Sequence, residues 1–266
     1  MKTITNGTTI EVKSDSHWGD MLPAELEVIA QYVYEALFDT SNSKSVKIII
    51  EHSTTHKLAR PVTYMPNPDL AWVRLLATNR NWGIIVYEMA HEFCHILTNE
   101  YFREIHAPYN NMNQNLWVDD TICELASIYC LTEIMNRIGS SCVKPIEYSS
   151  EQFSNYNAEI NRHPPNENKY NYFCIEHIAS NLSDFIKKFY PVLETDSYAL
   201  NKNKFFIAEL VPLFRNHAAV AWPAVSRLNI RYDPNDTILQ HLNKWIDDCV
   251  DKEKAFARQV VTLLGF

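Results

Sequence analysis

Apolar residues recur at helical spacing over residues 23–38, where Leu26, Ile29, Val33 and Leu37 mark one face and Pro23 suits a first helical position. The run Val46 to Glu51 is rich in β-branched residues and predicts a strand. Pro61, Pro66 and Pro68 then punctuate a loop, and Ala71 to Ala77 alternates roughly, as a second strand would. The first 20 residues are polar and read as irregular.

The strongest helical pattern covers 83–98, where Ile84, Ile85, Tyr87, Met89 and Phe93 surround a polar centre. Residues 100–115 are polar, with Pro108 and an Asn-rich run, and read as a loop. A long helix is predicted from about Leu116 to Ile138, stopped by Gly139. It is apolar on more than one face, which predicts a central position. Residues 140–170, with Pro164-Pro165, read as a loop or lid. Beyond them the pattern is helical, at Tyr172 to Phe189, Lys204 to Asn216, Ala221 to Leu228, a stretch capped by Asp236, and about Lys252 to Leu264. The expectation is an α+β fold of two lobes forming one compact unit: an α/β lobe over 1–98 and a helical lobe over 99–266.

Composition excludes several classes. Gly is scarce, at 5 of 266 residues, and no phosphate-cradling glycine loop is present. The net charge is −8, without a dense Lys/Arg cluster, so nucleic acid is not the expected partner. No apolar run of signal-peptide or membrane-span length occurs. The cysteines Cys94, Cys123, Cys130, Cys142, Cys174 and Cys249 form no CxxC pair; Cys123 and Cys130 fall inside one predicted helix and Cys94 inside another. That usage reads as free thiols in a reducing compartment, so a cytoplasmic location is expected. Oligomeric state leaves no readable signal.

The polar centre of the 83–98 helix is His91-Glu92-Phe93-Cys94-His95. Histidines at i and i+4 project from one helix face, so both imidazoles reach one metal ion. Glu92 lies beside them, placed to act as a general base toward a metal-activated water. A chain of this composition shows HExxH by chance roughly twice in a hundred cases, so context must decide. Here the motif is mid-helix, follows a predicted strand and has apolar neighbours.

On these residues the chain resembles the zincin metallopeptidases, and their gluzincin branch in particular, over about residues 45–137. The resemblance implies a zincin-like fold, one zinc ion per chain, a peptide or protein substrate, and a third ligand on a downstream helix. The stretch Leu116 to Ser127 looks like that helix. Two registers are open. In one, Glu124 is the ligand, and Ala126 and Ser127 let the helices approach. In the other, Asp120 is the ligand and Glu124, one turn on, orients a histidine. The first needs no exception to the family's glutamate and is preferred on that ground; the second matches the family's habit of an acid following the ligand.

Other patterns fit less well. Tyr101 stands where a metzincin needs its third histidine, and His106 precedes Pro108 in a polar loop. Cys94 reads as a small buried residue on the far side of its helix, and His52 and His56 as surface residues. His177, Tyr148 and Tyr190 are candidates for stabilising an oxyanion, and spacing selects none of them. The resemblance implies that the strand near 71–77 is the sheet edge that pairs with an extended peptide. The alternative to a peptidase is a metal-binding or partner-binding protein on the same scaffold without turnover.

Overall fold

The computed structural model describes residues 2–4, 7–14, 17–38, 45–53, 60–79, 82–99, 115–140 and 200–266. Residues 100–114 of the expected loop 100–115, residues 141–170 of the expected loop 140–170, the expected helix 172–189, and His56, His106, Cys142, Tyr148, Cys174, His177 and Tyr190 lie outside them. The fold is α+β. The chain forms two compact units, one of Met1–Leu97 with Ala126–Glu159, the other of Thr98–Leu125 with Ile160–Phe266.

The first unit is built on a sheet of five strands: β1 (Lys2–Thr3), β2 (Thr9–Val12), β3 (Lys47–His52), β4 (Val62–Asn67) and β5 (Leu70–Leu75), in the order β1-β2-β3-β5-β4. β2, β3 and β5 run parallel, while β1 and β4 pair antiparallel at the two ends. Register places Ile10, Ile48 and Ala71 in one row and Val12, Ile50 and Val73 in another, all buried. Alternation puts these rows on one face of the sheet. Helices α1 (Pro23–Phe38) and α2 (Trp82–Leu97) cover it, α1 against β2, α2 against β5 and β4, and each against the other.

α1 buries the stripe Leu26, Ile29, Val33 and Leu37 that its spacing predicts. α2 is secured at its middle by Glu88, whose carboxylate accepts from the backbone N–H groups of Leu76 (2.9 Å) and Ala77 (3.0 Å) just beyond β5. Burial raises the pKa of Glu88, and those two bonds oppose the rise. The end of β5 and the helix therefore share one half-buried carboxylate.

Three expectations need correction here. The first 20 residues are not irregular throughout, since they hold β1 and β2. The alternation Thr9-Ile10-Glu11-Val12 is only four residues long and polar neighbours hide it. The segment punctuated by prolines is β4. It is the last strand of the sheet among the described residues, where Pro66 forfeits no obligatory ladder bond, and the register shifts between Tyr64 and Asn67. The strand at 70–75 is consequently not an edge: it lies between β3 and β4.

α3 (Leu116–Ser140) is one unbroken helix, and it runs through Gly139 rather than stopping there. Its first turns, to Leu125, belong to the second unit and the remainder to the first. Trp117, Val118, Ile122, Leu125, Ala126, Tyr129 and Leu131 are all buried, as its all-round apolar pattern predicts.

The second unit adds α4 (Leu200–Asn216), α5 (Ala218–Val225), α6 (Ile238–Asp248) and α7 (Asp251–Leu263). Phe214 joins them, its ring edge-on to both Trp222 and Phe256. The cap of α6 is Thr237, not Asp236: its Oγ1 accepts from Gln240 N while Gln240 Oε1 accepts from Thr237 N. Asp236 is engaged instead with Lys244, at 2.6 Å. His241 of α6 is buried beside Asp119 and Asp236, and burial, stronger than those two anions, lowers its pKa to about 4.

Two outcomes follow from this packing. Glu88→Ala leaves two backbone donors without their acceptor and is expected to lower the unfolding free energy by about 1–3 kcal/mol. Denaturant titration against the wild type reads it. His241 takes up a proton in the unfolded chain near its ordinary 6.5 but in the folded chain only near 4. Stability is thus present above 6.5 and lost as pH falls toward 4. Between pH 7 and pH 5 that loss is on the order of 2 kcal/mol. The pH slope of unfolding should flatten in His241→Gln; an unchanged slope refutes the assignment.

Candidate metal centre

α2 positions His91 and His95 one turn apart, and their rings meet edge to face with centroids 4.9 Å apart. His95 is buried and His91 half-buried. Glu92, beside them, is also buried. Its carboxylate oxygen Oε2 accepts a hydrogen bond from Thr63 Oγ1 at 2.8 Å, and its backbone carbonyl lies 2.9 Å from the same hydroxyl.

Small residues let α3 come close to α2. Ala126 and Ser127 are fully buried, and Ser127 Oγ donates to the carbonyl of Tyr87 at 2.8 Å. Running back from that bond, the same helix carries Glu124, Cys123, Asp120 and Asp119, all buried. The ligand atoms of His91, His95 and Asp120 lie within 4.8 Å of one another. A second group, His95, Asp119 and Cys123, meets the same bound.

The i, i+4 rule orders these four residues. Asp120 and Glu124 share one line along the helix, and Asp119 and Cys123 the next. His95 stands at both lines and His91 at the first only. Asp119 is held from elsewhere in the second unit, where Asn229 Nδ2 donates to its Oδ1 at 3.1 Å.

The donor set suits zinc. Two imidazole nitrogens and a carboxylate oxygen, largely dry, are the ligand types of a catalytic zinc site with a position left open. Donors about 2 Å from a shared ion lie roughly 3.3 Å apart, so closing from a spread of at most 4.8 Å needs side-chain movements of about an ångström. Glu124 is buried beside the site but belongs to neither group. Asp120 is thus the carboxylate grouped with both histidines, and Glu124 follows it one turn along α3.

Sequence reasoning missed Asp119, Cys123 and Thr63. The first two repeat, one position earlier, the i, i+4 spacing of Asp120 and Glu124, and that doubled spacing was the available signal. Nothing in the sequence points to Thr63, because its role depends on where β4 lies. Cys94, Cys123, Cys130 and Cys249 are all buried. No described helix is long and apolar enough to cross a membrane.

Comparison with protein-family models, with curated proteins and with solved structures finds no match to this chain. The arrangement has to be judged on its own geometry.

Metal analysis of protein purified without chelators tests it. About one zinc per chain is expected, lost in His95→Ala and in Asp120→Ala. Glu124→Ala should keep the stoichiometry with affinity lowered roughly 10- to 100-fold, the usual cost of an orienting partner. Loss in Glu124→Ala and retention in Asp120→Ala would assign the ligand to Glu124 instead.

Proposed function

We propose that the chain is a zinc-dependent metallopeptidase of zincin-like build, with one zinc ion held by His91, His95 and Asp120. The observation that carries this reading is the convergence of three buried or half-buried donors with a buried carboxylate, Glu92, on the helix that bears two of them. Glu124 is then the acid that orients the ligand shell.

When bound, zinc supplies Lewis acidity, making a water acidic near neutral pH and polarising a carbonyl. His91, His95 and Asp120 fix where that happens. Glu92 takes the proton of the attacking water and returns it to the departing amine nitrogen. A buried base suits both transfers, because its proton does not exchange with bulk solvent between them.

The substrate is a peptide or protein in extended form. β4, at the end of the sheet, takes over the pairing role expected of the strand at 70–75. Tyr64 on this strand is exposed and is suited to contact a substrate side chain. The buried cysteines fit a reducing compartment, as in the cytoplasm.

One observation favours a second reading. Asp119 and Cys123 stand with His95 in a second group of three, so a metal held there would lie off His91 and Asp120 and serve structure rather than turnover. Glu92→Gln separates the two readings. Under the peptidase reading it keeps zinc and loses cleavage of fluorophore-labelled casein by roughly a hundredfold or more. Full cleavage in Glu92→Gln removes Glu92 as the base. Zinc bound by a wild type that cleaves nothing favours the structural reading.

A further inference from the structure

We propose that Thr63 is a positioning residue, whose hydroxyl holds the Glu92 carboxylate in the orientation that proton transfer requires. The proposal rests on the peptidase reading above for its consequence, but its geometry stands within the first unit alone.

Thr63 is the second residue of β4, and it is buried on an end strand whose next residue, Tyr64, is exposed. Its cross-strand partner is Val73 of β5, so its side chain enters the layer between sheet and α2. An apolar β-branched residue would fill that position in a sheet with better burial. A threonine there brings a hydroxyl into a dry layer, which costs unless it is bonded. The bond it makes goes to Glu92, not to the strand.

The hydroxyl has one proton and two acceptors at hand, Glu92 Oε2 at 2.8 Å and Glu92 O at 2.9 Å. The charged acceptor makes the stronger bond. Both acceptors belong to one residue, so Thr63 fixes the side chain relative to its own backbone. A glutamate has three rotatable bonds. Tying one carboxylate oxygen to a strand removes much of that freedom and defines where the other oxygen sits. A base needs only one oxygen to take a proton.

The strand that restrains the base is also the one at the end of the sheet. A peptide added to β4 would bond to backbone flanking Thr63. Substrate register and base position would thus be set by one strand, within two residues of each other.

The test compares Thr63→Val, which keeps the shape and removes the hydroxyl, with Thr63→Ser, which keeps the hydroxyl. Crystal structures of the metal-free proteins should show the Glu92 carboxylate displaced in Thr63→Val and in place in Thr63→Ser. On labelled casein with zinc present, Thr63→Val should lower kcat roughly tenfold or more with KM and zinc content near those of the wild type. Thr63→Ser should recover most of that loss. A carboxylate unmoved in Thr63→Val overturns the proposal, as does an equal loss of kcat in both variants. If the wild type binds zinc and cleaves no casein, the peptidase reading falls, and the carboxylate's position alone decides the role of Thr63. Should Thr63→Val not fold, Thr63→Ala carries the same comparison.

Discussion

A carboxylate moved from water into a protein interior loses hydration worth several kcal/mol, and α3 accepts this at Asp119, Asp120 and Glu124 within two turns. α2 adds Glu92, buried, and Glu88, half-buried one turn earlier. No fold buries so many acids in neighbouring helices without arranging compensation. Much of the architecture serves that need. Glu88 is met by two backbone donors beyond β5, Glu92 by Thr63, and Asp119 by Asn229. Each compensating group comes from a different stretch of chain than the acid it meets, so each bond ties its acid to a part of its own unit distant in sequence.

Asp120 and the two histidines answer the same need differently. They are gathered on each other, with ligand atoms inside 4.8 Å. A divalent cation held among them would return more electrostatic free energy than any single hydrogen bond in a low-dielectric setting. The need to compensate buried charge thus supports the metal reading beside the HExxH pattern.

Much of this was legible in the sequence. The periodicity of 23–38 and 83–98 gave helices whose described ends fall within a residue of expectation, because one-sided burial leaves a strong 3.6-residue signal. β3 was legible for a different reason: a strand buried in a parallel sheet reads as a continuous β-branched run. β2 and β4 were not. Four residues of alternation carry little signal, and Pro66 reads as loop until it is known to lie at a sheet's end. The acidic line of α3 was legible, but not its end. Spacing placed Asp120 and Glu124 on one line but could not say which of them groups with the two histidines. That depends on how the helices slide against each other, a tertiary quantity.

The slide is recorded at Ser127, whose hydroxyl reaches the carbonyl of Tyr87. A side chain this short makes that bond only where two helix backbones run close, and Ala126 beside it allows the approach. The same closeness bears on the identity of the ligand. Asp is one methylene shorter than Glu, so a helix pair at ordinary separation favours glutamate as the reaching group. Where small residues draw the helices together, the longer side chain would overshoot and the shorter one fits. On the proposed reading, Asp120 as ligand and the Ala126-Ser127 pair, two turns apart on one helix, would be two expressions of one helix spacing.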